Sequence, residues 1–303
     1  MNPRRSETET PPTDTLPKDV LVRALACGGT VRALAVRSTH VARTLAEQHE
    51  ASPLGAIALS RVGTSALLMG GMLKGHEQVG VEFKGDGPLG AVYAVANATG
   101  DVRVSIDAPD VDLPHRADGR WPLSLAFGAG RVTVTRSLGM REPYVGVVPM
   151  MAGEVAEDLA HYFLMSEQKP TAFGVSEVLG PEGIRVAGGF LIQGLPGADE
   201  AVLEALEARI TALPPLSQLY AEGMDPEGIL ARVFDELVVL ERCPVQFRCH
   251  CERARFESAL VGLGVEELRS MAAERESTEV TCHFCNTRYF FRSEELLALA
   301  DNA

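Results

Sequence analysis

Residues 78–106 read QVGVEFKGDGPLGAVYAVANATGDVRVSI, and the fold turns on how that stretch is read. Within it, Gly85-Asp86-Gly87-Pro88-Leu89-Gly90 matches GxGxxG letter for letter. That fingerprint binds a dinucleotide only where it follows a strand and opens a helix whose N-terminus meets the pyrophosphate. Here the period is two on both sides. Val79, Val81 and Phe83 alternate before the glycines, residues 89–96 run apolar, Thr99-Gly100-Asp101 turns, and Val102, Val104 and Ile106 alternate again. With Pro88 inside it, the glycine segment reads as a β-turn within a β-meander.

Outward from the meander the pattern mixes strands and helices. Residues 19–26 and 30–46 read as a strand and then a helix around Cys27-Gly28-Gly29. Pro53 opens an apolar segment, 54–74, read as a buried helix pair or one helix bent at Gly70-Gly71. Strands are expected over 131–135, 145–149 and 187–193. A helix is expected over 154–168, with Val155, Leu159, Tyr162 and Phe163 on one face and acids in its first turn. Two more helices follow. Residues 199–213 align Val202, Leu206, Ile210 and Leu213, and residues 226–240 are capped by Asp225 with Pro226 at the first helical position. The expected order is a flexible tail (1–17), a mixed sheet-and-helix domain (18–197), a helical linker (198–241) and a small cysteine-rich domain (242–303).

The chain has 303 residues and a formal net charge of −13. So acidic a chain argues against a dedicated nucleic-acid binder, whose affinity rests on cations facing phosphates, and favours solubility. The start lacks an apolar stretch, and no apolar run approaches the roughly 18 residues that cross a bilayer; a cytoplasmic protein without membrane contact is expected. His40, His49, His76, His115 and His161 are scattered without ligand or triad spacing, no serine sits in a nucleophile elbow, and no phosphate-binding loop is present. No enzyme is expected.

The cysteines carry the chemistry. Cys27 stands alone, whereas Cys243, Cys249, Cys251, Cys282 and Cys285 fall in the last fifth of the chain. Cys249-His250-Cys251 and Cys282-His283-Phe284-Cys285 are two close pairs of soft ligands separated by a helical insert, 252–274. Four thiolates close a tetrahedron around zinc, and a module with only Phe247, Phe256, Leu260, Leu263, Leu268, Phe290 and Phe291 for a core would fold largely on metal-binding energy. Residues 279–281 and 288–291 frame the second pair as strand, knuckle, strand. The CxC half suits a redox switch. Zinc keeps the sulfurs as thiolates, a sulfenic acid is captured by a thiol one or two residues away, and each pair, Cys249-Cys251 and Cys282-Cys285, can become a local disulfide that no longer holds metal. A ribbon that merely holds a binding tag together is the alternative. Cys243 is a possible auxiliary thiol or an idle one.

The chain also carries SALLMGGMLKG at 65–75, FKGDGPLG at 83–90, REPYVGVVPMMAGEVAEDLAHYFLMSEQ at 141–168 and AGGFLIQGLPGA at 187–198. With the terminal CxC and CxxC, these blocks resemble the heat-shock protein 33 family, the redox-regulated 33 kDa chaperonins, over nearly the whole length. The resemblance implies an α+β fold: an N-terminal α+β domain that carries substrate-binding and dimer contacts, a helical linker, and a C-terminal zinc switch using Cys249, Cys251, Cys282 and Cys285. It further implies ATP-independent binding of unfolding client proteins under oxidative stress, by a homodimer when active. Two departures stand out. The family usually follows its CxC with Ser-Arg-Glu-Arg, where this chain has Glu252-Arg253-Ala254-Arg255, and the glycine usual after CxxC is Asn286. The linker residues Val202, Leu206, Ile210, Ile229, Val233 and Leu237 are candidates for surface hidden in one state and offered in the other.

Two other function classes remain open. Against a nucleic-acid adaptor, residues 243–303 hold seven arginines and no lysine against ten acids, a net of −3. Against a dithiol oxidoreductase, Cys282 and Cys285 lack a strand-to-helix junction in a βαβ context.

Overall fold

The structure, a computed structural model, describes residues 17–117, 120–139 and 142–302; the tail expected over 1–17 lies outside them apart from Pro17. The chain opens with β1 (Val20–Ala26), β2 (Val31–Arg37) and α1 (Thr39–Gln48). Residues 30–46 therefore divide at Ser38 into a strand and a helix, not one helix. β2 is buried on both faces, so its apolar run lacks the alternation that marks a half-exposed strand.

α2 (Pro53–Gly70) is one unbroken helix, started by Pro53 in its first turn and by the Ser52 hydroxyl, which accepts from Gly55 N at 3.1 Å. Its 18 residues average a hydropathy of 1.2, long and apolar enough to cross a membrane, contrary to the expectation that no run comes near that length. It is buried between two sheets instead, packing on β3 (Gln78–Gly85), β4 (Ala91–Asn97) and β5 (Asp101–Ile106) on one side and on β2, β8 (Thr171–Gly180) and β9 (Gly183–Gly194) on the other. A helix apolar all round is what such a position requires.

The meander forms as read, β3, β4 and β5 pairing antiparallel in sequence. Its glycine turn receives no helix N-terminus. A Cβ at Gly85 or Gly87 would collide with the Phe127 and Ala126 carbonyls of the short helix α3 (Leu123–Phe127), so these glycines permit close approach of backbone to backbone. β6 (Gly130–Ser137), β7 (Tyr144–Pro149) and α4 (Val155–Glu167) match the expected elements; α3 and β8 were not legible.

After β9 come α5 (Glu200–Thr211), α6 (Leu216–Ala221) and α7 (Pro226–Val233). The helix expected over 226–240 stops at Val233, because Phe234 is extended (φ −117, ψ 134) and residues 237–244 form β10 (Leu237–Pro244), antiparallel to β1. The five-stranded sheet runs β10-β1-β2-β9-β8, and the six-stranded one β11-β5-β4-β3-β6-β7, with β11 (Gln246–Phe247) parallel to β5. Leu206, Tyr220, Ile229, Leu230 and Val233 close over Val22, Ala24, Ala33, Ala35, Phe190 and Ile192 on the outer face of the five-stranded sheet, a second core distinct from the one around α2.

The insert is helical, as α8 (Arg253–Val261) and α9 (Val265–Glu274), broken at Gly264 (φ 96). β12 (Ser277–Thr281) pairs with β13 (Arg288–Arg292), and α10 (Ser293–Asp301) follows. The module's core is Leu260, Leu268, Phe291, Leu296 and Ala300. Phe290 and Leu263 are exposed, and Phe247 packs against the main core. Adjacent residues of a strand face opposite sides, so Phe290 and Phe291 cannot share one core.

Candidate metal centre

The two cysteine pairs arrive from different elements. Cys249 and Cys251 leave β11, whose surroundings stitch the chain to β5: Gln246 N donates to Gly100 O and Arg248 N to Val102 O, both at 2.9 Å. Cys282 and Cys285 lie in the turn between β12 and β13. There Asn286 N donates to Cys282 O at 2.8 Å and Cys282 N to Thr287 O at 3.0 Å. Asn286 takes the left-handed conformation (φ 53), the geometry that glycine supplies without strain and that asparagine tolerates.

The four Sγ atoms lie within 4.8 Å of one another. Cys249 Sγ and Cys282 Sγ are 3.7 Å apart, and Cys251 Sγ and Cys285 Sγ 3.3 Å. All four cysteines are free thiols here. A tetrahedron with Zn–S of about 2.3 Å has S–S edges of about 3.8 Å, so the spacing and the all-sulfur donor set both fit a structural zinc ion. Burial above all, and then the neighbouring thiols, push the Cys249 thiol far up. A cation held among the sulfurs would reverse that preference and keep them as thiolates.

Around the sulfurs, the Tyr289 hydroxyl donates to Cys251 O at 3.0 Å and lies 3.4 Å from Cys251 Sγ, while Thr287 Oγ1 is 3.2 Å from Cys285 Sγ. Arg253, from the unusual tetrapeptide after the CxC, ties the module together. Its guanidinium stands 4.2 Å from the Phe291 ring centroid and donates to Phe290 O at 2.8 Å and to Glu295 at 2.7 Å. His250 and His283 are exposed.

Cys243 sits apart from the four, buried on β10, its Sγ 3.3 Å from Thr99 O and its thiol raised by burial. Cys27 is half-buried in the turn between β1 and β2. The six linker candidates Val202, Leu206, Ile210, Ile229, Val233 and Leu237 all pack into the second core. Sequence reasoning missed Tyr220, which fastens α6 to the sheet by donating to Val36 O at 2.7 Å, and Tyr289 beside the sulfurs. An aromatic residue two positions beyond a knuckle was the available signal for Tyr289; Tyr220 carried none.

A family model described as Hsp33 protein matches residues 19–292. The 33 kDa chaperonin of Bacillus mycoides (strain KBAB4) is 41% identical over 288 residues, covering 94% of this chain and 99% of that one. Its counterpart in Bacillus cereus (strain AH187) is 42% identical over 289 residues at the same coverage. Among solved structures, the 33 kDa chaperonin (heat shock protein 33 homolog) of Thermotoga maritima superposes with a TM-score of 0.89 at 33% identity, covering 94% of this chain and 99% of that chain.

Proposed function

The chain belongs to the Hsp33 family, and from that premise we propose that it is a redox-gated, ATP-independent holdase that is quiet when reduced and metal-bound. Cys249, Cys251, Cys282 and Cys285 hold one zinc ion, which keeps four thiolates together in a small module. On oxidation a thiolate attacks peroxide, the O–O bond breaks and hydroxide leaves, giving a sulfenic acid. The neighbouring thiolate attacks that sulfur and expels a second hydroxide. Two peroxides thus yield the disulfides Cys249-Cys251 and Cys282-Cys285, and the metal is released.

The observation that carries this reading is the four-sulfur cluster itself, drawn from two knuckles over a core of five buried residues. So small a core depends on its metal. The module leads straight into β10 and the linker, whose release uncovers the outer face of β1, β2 and β9 for unfolding proteins. Homodimerisation of the active form, cytoplasmic location and the division at 197/198 and 241/242 belong to the same proposal; β10 runs across the second boundary.

A metal-held adaptor without gating is the second reading, favoured by one observation: Cys251 and Cys285, whose sulfurs lie 3.3 Å apart, belong to different knuckles. Disulfides across the knuckles would close loops of about 34 residues and stabilise the module by about 4 kcal/mol, locking it. Local disulfides leave it free to loosen. Metal-loaded reduced protein treated with peroxide under mild heat should release its metal, lose four thiols, map to the two local disulfides and suppress client aggregation. Absence of any gain on oxidation, or cross-knuckle disulfides, overturns the gating.

A further inference from the structure

The second knuckle does more than supply two sulfurs. Phe284, between Cys282 and Cys285, takes no part in the module's own core. Its ring lies instead on the main body, with the Arg103 guanidinium 4.6 Å from its centroid and the Tyr93 ring 6.1 Å away. Tyr93 and Arg103 belong to β4 and β5, where the buried set is Val92, Ala94, Ala96, Val102 and Val104, so both point from the outer face of the six-stranded sheet. The end of α1 meets the same knuckle. Asn286 Nδ2 donates to Gln48 O at 2.7 Å, and the next residue, the buried His49, holds Val104 O of β5 at 3.0 Å from its imidazole.

We propose that the outer face of β4 and β5, with the end of α1, is the docking surface of the second knuckle. Phe284 is then the latch that reports the state of Cys282 and Cys285 to the body. A ribbon whose knuckle served only the metal would leave this ring in water; here a half-buried aromatic and a cation–π contact are committed to another domain. Closing Cys282 and Cys285 into a disulfide draws their sulfurs from about 3.8 Å to about 2.05 Å and moves the two residues between them. The ring cannot keep its seat. Unseating it leaves β11, a strand of two residues, with the contacts of Gln246, Arg248 and His250 to Asp101, to hold the CxC to the sheet. The docking stands on geometry alone, whereas the latch's response to oxidant rests on the proposed oxidation of this pair.

The test uses the full reduced, metal-loaded chain and reads amide hydrogen exchange at Gln246 and Arg248, whose N–H groups are bonded to Gly100 and Val102 in the docked module and should fray once the ring no longer holds it there. Phe284→Ala and, from the other side, Arg103→Ala should raise exchange at both amides by about 10- to 100-fold, with metal content and free thiols unchanged. Phe284→Trp should restore protection. Unchanged exchange in Arg103→Ala overturns the latch, and so does unchanged exchange in a Phe284→Ala protein that keeps its metal. If Phe284→Ala loses metal, Arg103→Ala decides, since Arg103 lies on β5, outside the cysteine module. Oxidised wild-type protein in which the two amides stay protected sinks the latch and leaves redox gating standing. Wild-type protein that gains no client binding on oxidation sinks the gating and leaves the docking intact.

Discussion

Tyr220 offers the most direct test of whether the linker is a removable cover. It is 2% exposed, its hydroxyl donates to Val36 O at 2.7 Å, and its ring occupies the space over Gly188, where a Cβ would fall on it. Burial pushes the phenol far up, so it stays a neutral donor at any working pH. Tyr220→Ala removes a buried aromatic, a change that costs about 3–5 kcal/mol. At about 1.4 kcal/mol per tenfold, the docking equilibrium of the linker falls by about two to three and a half orders of magnitude. Tyr220→Phe keeps the ring and loses one hydrogen bond, about 1 kcal/mol or roughly fivefold. Hydrogen exchange across residues 200–233 in reduced, metal-loaded protein should rise in that graded order, with metal and thiols retained. Tyr220→Ala should then suppress client aggregation without peroxide. Exchange that stays flat, or that rises equally through β1, β2 and β9, refutes the argument, because Tyr220 would then belong to the body and not to a cover.

Further consequences concern the metal module. Cys282→Ser, or chelation under reductant, should leave the module substoichiometric in metal and unprotect residues 253–301 to exchange while α2 stays protected, since five buried residues do not make a self-sufficient core. Asn286→Val places a β-branched residue in left-handed geometry at a cost of about 1–2 kcal/mol and should weaken metal retention about tenfold in a chelator competition; Asn286→Gly should retain it. Arg253→Ala gives up a cation–π contact and two hydrogen bonds at a partly exposed site, about 1 kcal/mol, read as a lower chelator concentration for half-release. Equal chelator midpoints for Arg253→Ala and wild type would show that the arginine is ornamental to the module.

How legible an element was in the sequence follows from where its side chains go. β3 to β5 and α4 each have one face on the core, so their periods show plainly. β8 is half-buried along nearly its whole length, with no alternation for a pattern to reveal. β10 extends the i, i+4 register of Ile229, Val233 and Leu237 and so reads as more helix; only its pairing with β1, more than 200 residues away, makes it a strand. The four-sulfur cluster was legible because its cysteines fall in two close pairs within one short segment. Its docking was not, since Tyr93, Arg103 and Gln48 carry no local mark of a partner that lies far along the chain. Asn286 stands in the knuckle in left-handed geometry, within the range asparagine adopts.

The pairing of β1 with β10 also sets an order of events during synthesis. The strands β1, β2, β8 and β9 are complete once Gly194 has been made, but β10 ends at Pro244, about 50 residues later. At about 5–20 residues per second the growing chain spends some seconds with β1 as a bare sheet edge and its apolar outer face uncovered. A bare edge recruits other strands. The newborn protein thus wears on the ribosome the same surface proposed for its oxidised form, until its own C-terminal third covers it.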